Sequence, residues 1–313
     1  MGVTVSRPHV EKRPNRVLDT ATLSYGGYSL RFLSSDPDVR FIAREPHTAF
    51  LIGNDTRADC EIACEFGDAS PSSGAPDFDS GGIWELRILP DSSEEVCFYT
   101  ATEAGTRLPM IRLTLAAGFN RVQLVHAPVR KHDRSIPIGY PIDEYLMARL
   151  LGRAGGIILH ACALREGTDA FVFMGHSGAG KSTMTALAES AGAEVLSDDR
   201  TIVTVQHEVV SAWGTPWHGT YSKGSPNCAS VRGIFLLVQA EEDAIIPFEG
   251  ARAFQEMLIR LIQPTVSRAE QDASFATLER LMKLVTVAEL RFRPSSAAYV
   301  RAREFAKRDL EHA

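Results

Sequence analysis

Two patterns of apolar and polar positions divide the chain. From Leu18 to about Val129, short apolar runs alternate with turn residues. Examples are Tyr28-Ser29-Leu30-Arg31-Phe32, Ile83-Trp84-Glu85-Leu86-Arg87-Ile88 and Ile111-Arg112-Leu113-Thr114-Leu115. A period of two puts every second side chain on one face, as in a half-buried strand. Phe50-Leu51-Ile52, Val96-Cys97-Phe98-Tyr99 and Val122-Gln123-Leu124-Val125 add further strands, and a loop rich in Ser, Pro, Gly and Asp spans 67–82. The expectation is a mostly antiparallel β half, a sandwich or small barrel. Residues 1–16 read as a flexible arm and 17–130 as the β-rich domain. Residues 131–141, with Lys131, His132, Arg134, Pro137 and Pro141, read as a linker.

Residues 142–313 follow a different rhythm. Asp143 reads as a helix N-cap. Tyr145, Leu146, Met147, Leu150 and Leu151 follow at helical spacing, and Gly152, Gly155 and Gly156 stop the helix. The continuous apolar run over 156–164 predicts a buried strand, the turn Glu166-Gly167-Thr168-Asp169 a hairpin, and 170–174 a second strand. A helix is expected over 182–191, then a strand at Glu194-Val195-Leu196 that ends on Ser197-Asp198-Asp199. Strands at 201–205, 209–213 and 233–238 precede helices at 251–262 and 267–284. A strand at 288–292 and a helix from Ser295 close the chain. Alternating strands and helices make this half α/β.

Composition narrows the partners. The 313 residues are 44% hydrophobic, ordinary for a globular protein with a sizeable core. A formal charge of −6 and a pI of about 5.9 argue against nucleic acid as the main partner, because a polyanion needs a basic surface. No run approaches the roughly 20 apolar residues that span a bilayer, so no membrane partner is expected. The N-terminus lacks the apolar core of a secretory signal. Gly2 and Ser6 match the loose myristoylation pattern, and Asn54-Asp55-Thr56 is a glycosylation sequon that matters only in a secreted chain. The five cysteines include no CxxC pair. Cys60 and Cys64 are spaced to share a helix face, but no second pair follows at zinc spacing. Reduced thiols in a cytoplasmic protein are expected.

The chemistry centres on Gly175-His176-Ser177-Gly178-Ala179-Gly180-Lys181-Ser182, which satisfies G-x-x-x-x-G-K-S/T. The glycines let backbone N–H groups turn inward on an anion, and the following helix presents its positive end to it. Lys181 is placed to reach β/γ-phosphate oxygens and Ser182 to ligate Mg²⁺; Thr183 is the next hydroxyl. An apolar strand before and a helix after give the pattern the context it needs. The expectation is ATP or GTP with Mg²⁺, since the loop reads phosphates and not the base. Asp198 and Asp199 end the next strand at the same sheet edge. Neighbouring side chains of an extended segment point opposite ways, so one carboxylate can face a metal and the other an acceptor hydroxyl. A turn-forming pair with solvated side chains is the plainer alternative.

From His160 to Asp199 the chain resembles the catalytic domain of HPr kinase/phosphorylase. The shared features are Leu159-His160-Ala161 on a strand, the loop at 175–182, and Leu196-Ser197-Asp198-Asp199. The resemblance implies a P-loop kinase fold of the HPr kinase and phosphoenolpyruvate carboxykinase type, preceded here by a β-rich domain. It implies phosphoryl transfer to a serine or threonine hydroxyl of a protein or peptide. It also implies catalytic roles for Asp198, Asp199, His160 and Lys181, with Asp199 and Ser182 near Mg²⁺. Related kinases often assemble, so a homo-oligomer is implied too. On the residues alone, His160 sits in an apolar strand and reads as a satisfied core histidine. The chain departs from the family in its first half and lacks a recognisable HPr-gripping loop. Trp213-Gly214-Thr215-Pro216-Trp217-His218-Gly219 and Ser225-Pro226-Asn227-Cys228-Ala229-Ser230 stand there instead. In this it looks like divergent HPr kinase-like proteins found with modified-peptide gene sets. The Trp217-His218-Gly219 segment is a candidate cover for the nucleotide, or an aromatic turn on the core. Arg232 is a candidate for the transferred phosphate, and Glu208 and Glu249 for further metal ligation. A small-molecule kinase and a nucleotide-gated binding protein without catalysis are the competing functions.

Overall fold

The computed structural model describes residues 15–102, 105–129, 133–219, 221, 223–248, 250–262 and 267–310. They form a mixed α/β structure with three sheets and five α-helices among the described residues. No helix among them is long and apolar enough to cross a membrane.

Most strands of the alternating first half form one nine-stranded sheet, an open path of pairings that does not close into a barrel. Its order is Leu51–Ile52, Ala21–Tyr25, Tyr28–Leu33, Cys60–Phe66, Arg121–His126, Arg107–Leu115, Glu94–Ala101, Trp84–Ile88 and Phe78–Asp79. All pairings are antiparallel except the two made by Cys60–Phe66, which runs parallel to both neighbours. Cys60 and Cys64 therefore lie on a strand rather than a helix. Their period-two spacing with Ile62 puts all three in the core. Burial pushes the Cys60 thiol up to about 12 and raises that of Cys64 further, so neither is reactive at neutral pH.

A second, three-stranded sheet joins Arg16–Leu18, Arg40–Ala43 and Ser135–Pro137. Part of the expected linker is thus a strand, parallel to Arg40–Ala43. Ile136 and Ile138 alternate with Pro137, so both bury on one face, while the proline sits in an edge strand where its missing N–H is tolerated. The helix that follows is Ile142–Gly152, with Pro141 at the N-cap position. Asp143 lies inside the first turn and is fully buried instead of capping.

The second half builds an eight-stranded sheet around Gly156–Glu166. That strand pairs with Asp169–Met174 on one edge, and with Arg200–Gln206 and Glu194–Ser197 on the other. The path continues through Val209–Trp213 and Cys228–Gln239, and Cys228–Gln239 pairs back in parallel with Asp169–Met174. Five strands thereby close into a ring. Val287–Phe292 and Ala244–Pro247 extend the sheet beyond it.

The continuous apolar run is buried on both faces, as periodicity requires. Ile157, Leu159, Ala161 and Ala163 pack with Met257, Leu278 and Leu281 from Gly250–Leu258 and Arg268–Leu284. Cys162 and Leu164 pack with Met184 and Ala188 of Lys181–Ser190 and with Tyr299 and Ala302 of Ser296–Leu310. His160 belongs to the even-numbered face, the one under the helix that begins at Lys181.

Candidate active site

Asp169–Met174 delivers the chain to the edge of the sheet, where the glycine segment turns back into Lys181–Ser190. The turn closes with Ala179 N donating to His176 O at 3.1 Å. Gly178 and Gly180 adopt φ of +83° and +108°, which disfavour side chains. A Cβ on Gly180 would also lie 2.9 Å from Phe292 Cζ. Gly180→Ala is therefore expected to cost about 1–3 kcal/mol of stability, read as a lower denaturant midpoint at unchanged slope. A midpoint equal to the parent's would mean the turn accepts another conformation. Gln239 Nε2 donates to Gly178 O at 3.1 Å and holds the tip of the turn from the end of the parallel neighbour strand.

Lys181 begins the helix, yet only 8% of its surface is exposed. Its Nζ donates to Gly175 O at 2.8 Å and to His160 Nε2 at 3.0 Å. Burial lowers its pKa, and the negative charge of Asp199 works in the other direction. His160 hangs between this ammonium and a carboxylate. Its backbone N donates to Arg260 O at 2.8 Å, which fixes the strand. Burial, then the neighbouring Lys181 charge, pushes the ring's pKa down against the pull of Asp199. The ring is thus neutral near pH 7. An ammonium has only protons to give, so Nε2 is the accepting nitrogen and the proton resides on Nδ1. Nδ1 faces Asp199 Oδ1 at 3.4 Å, a contact of a neutral ring rather than an ion pair.

Asp198 and Asp199 occupy the tight connection between Glu194–Ser197 and Arg200–Gln206. Asp198 is 2% exposed, and its oxygens accept from Gly219 N at 3.1 Å and from Tyr221 N at 2.9 Å. Burial raises its pKa; these two N–H groups work against that, and Asp199 adds to it. Asp199 turns toward His160 on one side and toward Arg200 Nε, at 3.8 Å, on the other. Its backbone oxygen accepts from Ala161 N at 3.0 Å, tying the carboxylate's position to the central strand.

A cavity of about 420 Å³ collects these groups. Ser177, Gly178 and Gly180 line it from the turn, and Lys181, Ser182 and Thr183 from the first turn of the helix. His160, Asp198 and Asp199 face them across the sheet edge, with Gly219 and Gln239. Of the remaining loop positions, Gly175 and Ala179 are buried beneath the turn, and exposed His176 makes a 2.7 Å Nδ1 contact with Ser177 O.

Other candidates stand elsewhere. Arg232 pairs with Asp169 at 2.6 Å. Asp169 starts the strand whose far end feeds the glycine turn, so Arg232 is at the wrong end of the sheet for a phosphate there. Glu208 pairs with Arg280 in a turn remote from the cavity, and Glu249 lies outside the described residues. Trp217 is 2% exposed and packs edge-on against Tyr25 at 5.3 Å. It is an aromatic anchor in the core and leaves Gly219 to reach the cavity.

Three features had weak sequence signals. Gln239 is a polar residue ending an apolar run. Arg260 comes near Lys181 only because residues 260–262 add to the edge of the central strand, Ile262 N donating to Ile158 O at 2.8 Å. Glu144, raised to about 7 by burial, pairs with Arg200 at 3.0 Å beside Asp199.

No family model and no curated protein matches the chain. Among solved structures it is similar to the HPr(Ser) kinase/phosphatase from Coxiella burnetii. That likeness covers 50% of this chain and 97% of that one, at 10% identity and a TM-score of 0.29. It is a distant likeness in fold.

Proposed function

We propose that this protein is a kinase that moves the γ-phosphoryl group of ATP or GTP to a serine or threonine hydroxyl of a protein or peptide. The observation that carries the reading is the convergence, on one cavity, of the glycine turn, Lys181 and two carboxylates of unlike environment. Phosphoryl transfer needs little covalent help from a protein and much positioning and charge.

The residues divide the work as follows. Backbone N–H groups at the start of Lys181–Ser190 and the Lys181 ammonium hold the phosphates. His160, neutral and accepting from Lys181, keeps that ammonium aimed without competing for its charge. Asp199 and Ser182 are the groups to hold Mg²⁺. They offer a sparse set of hard oxygens, and no group of three or more His, Cys, Asp or Glu forms a metal cage among the described residues. That suits a cation that takes one or two carboxylates and completes its shell with phosphate oxygens and water. Bound there, Mg²⁺ supplies charge neutralisation on the β- and γ-phosphate oxygens. Asp198, buried and raised in pKa, accepts the proton as the hydroxyl oxygen forms its bond to phosphorus and the bond to the bridging oxygen breaks.

The test is transfer itself. Purified protein with γ-labelled ATP, Mg²⁺ and peptides encoded beside its gene is expected to label a serine or threonine. Nucleotide bound without label on any of them would leave a binding protein in place of a kinase.

A further inference from the structure

Among the described residues, Asp143 is the most buried carboxylate that the proposed chemistry does not use. It is fully inaccessible, and both of its oxygens are occupied. Oδ1 accepts from Glu144 N at 2.9 Å. Oδ2 faces three groups at once: Tyr25 Oη at 2.9 Å, His47 Nε2 at 2.9 Å and Trp217 Nε1 at 3.0 Å. A carboxylate has only lone pairs to offer, so all three are donors and His47 carries its proton on Nε2. Two of them, Tyr25 and His47, come from the first half of the chain.

The third, Trp217, leads to the cavity. Two residues on, Gly219 N donates to Asp198, and four residues on, Tyr221 N does the same. Thr215, two residues before, donates Oγ1 to Arg200 O on the other side of the aspartate pair. Tyr221 is held from its far end by Glu189 of the helix that follows the glycine turn. Residues 215–219 together with Tyr221 therefore act as a strap. Asp198 hangs from its N–H groups, and Trp217 is the peg that fixes it to the first half.

We infer that Asp143 is a positioning residue through which the β-rich half sets the strap, and with it the geometry of Asp198. The inference rests on the proposed kinase reading for its catalytic consequence, though not for its structural one. The hairpin carrying Tyr25 supports the same contact. Its Gly26 approaches Ile202 of the catalytic sheet so closely that a Cβ would lie 2.8 Å from Ile202 Cδ1. The two halves meet where the strap is pegged.

Trp217→Phe keeps an aromatic six-membered ring and deletes the donating N–H, and Asp143→Asn replaces one of the two acceptor oxygens by a donor. In both, protection of the Gly219 and Tyr221 amides from hydrogen exchange is expected to fall about tenfold or more, as a lost buried hydrogen bond requires. With Mg-nucleotide, kcat is expected to fall about ten- to a hundredfold at nearly unchanged KM, since a small misplacement of a reacting group costs that much. Glu94→Gln is the control. It loosens another, half-buried contact between the halves, Glu94 with Arg149, and is expected to lower stability while leaving kcat and both amides as they were. If Asp143→Asn fails to fold, Trp217→Phe carries the test alone. Unchanged exchange at Gly219 and Tyr221 in folded Trp217→Phe would overturn the inference. So would changed exchange with parental kcat. A parent protein that shows the exchange pattern but transfers no phosphate sinks the kinase reading and leaves the strap supported by exchange alone.

Discussion

Asp198→Asn and Asp199→Asn are each expected to lower phosphoryl transfer by about 10²–10⁴-fold, the range of a lost acid–base or charge-bearing group. Nucleotide binding should survive, because the turn and Lys181 are untouched. The two variants should nevertheless fail differently. Asp198 sits in a buried niche that raises its pKa. In the parent, transfer should therefore decline as pH falls through a value raised above an aspartate's ordinary one, since the protonated acid is too weak a base to take the hydroxyl proton. Asp198→Asn removes the titrating group, and its small residual rate should be flat over that window. Asp199 faces the cavity beside Ser182. Asp199→Asn should raise the Mg²⁺ concentration needed for half-maximal rate, and excess Mg²⁺ should recover part of the loss. Rates from labelled phosphate transfer, measured against pH and against Mg²⁺, separate the two. Parental rates in either variant would remove that residue from the chemistry.

How much of this was legible in the sequence depends on the range of the contacts. The glycine turn, its flanking strand and helix, and the buried strand of 156–166 are local patterns, and their residues carry the signal alone. The even-numbered face of that strand also places His160 under Lys181, given only that a helix covers it. What stayed hidden is long-range. Asp143 looked like a cap because caps are local devices, whereas its carboxylate is in fact consumed by Tyr25, His47 and Trp217, up to 118 positions away. Arg232 reads as available because arginine commonly neutralises the charge of a transferred phosphate. Only the strand register, Asp169 opposite Ser230 at the start of the parallel pair, shows it at the wrong end. Cys60 and Cys64 fit helix and strand spacing alike at four residues apart, and Ile62 between them, buried with both, decides for the strand. The 131–141 stretch read as a connection from its prolines and charges, although Ile136 and Ile138 already had the spacing of a one-sided strand.

Lys181→Met is the change with the widest reach. The thioether keeps the stem's bulk in the buried channel but gives up the ammonium that Gly175 O and His160 Nε2 both accept from. Losing a charge-assisted hydrogen bond to phosphate costs about 1.5–3 kcal/mol, so nucleotide affinity should fall roughly ten- to a hundredfold. Transfer should fall further, because charge on the leaving phosphates is greatest in the transition state. The variant also carries its own check on the arrangement of the site. In the parent, burial and the Lys181 charge hold the His160 pKa below its ordinary value, so the ring stays neutral as pH drops toward that lowered value. Without the ammonium, only burial and the smaller effect of the Arg200 charge oppose Asp199, and the pKa should move upward. The ring would then take up its second proton at a higher pH and pair with Asp199 as an imidazolium. Titration of the His160 ring protons by NMR in both proteins gives the direction of the shift. An unmoved or lower value in Lys181→Met would mean that Lys181 does not bear on His160, and that the histidine is a core residue with no part in holding the ammonium.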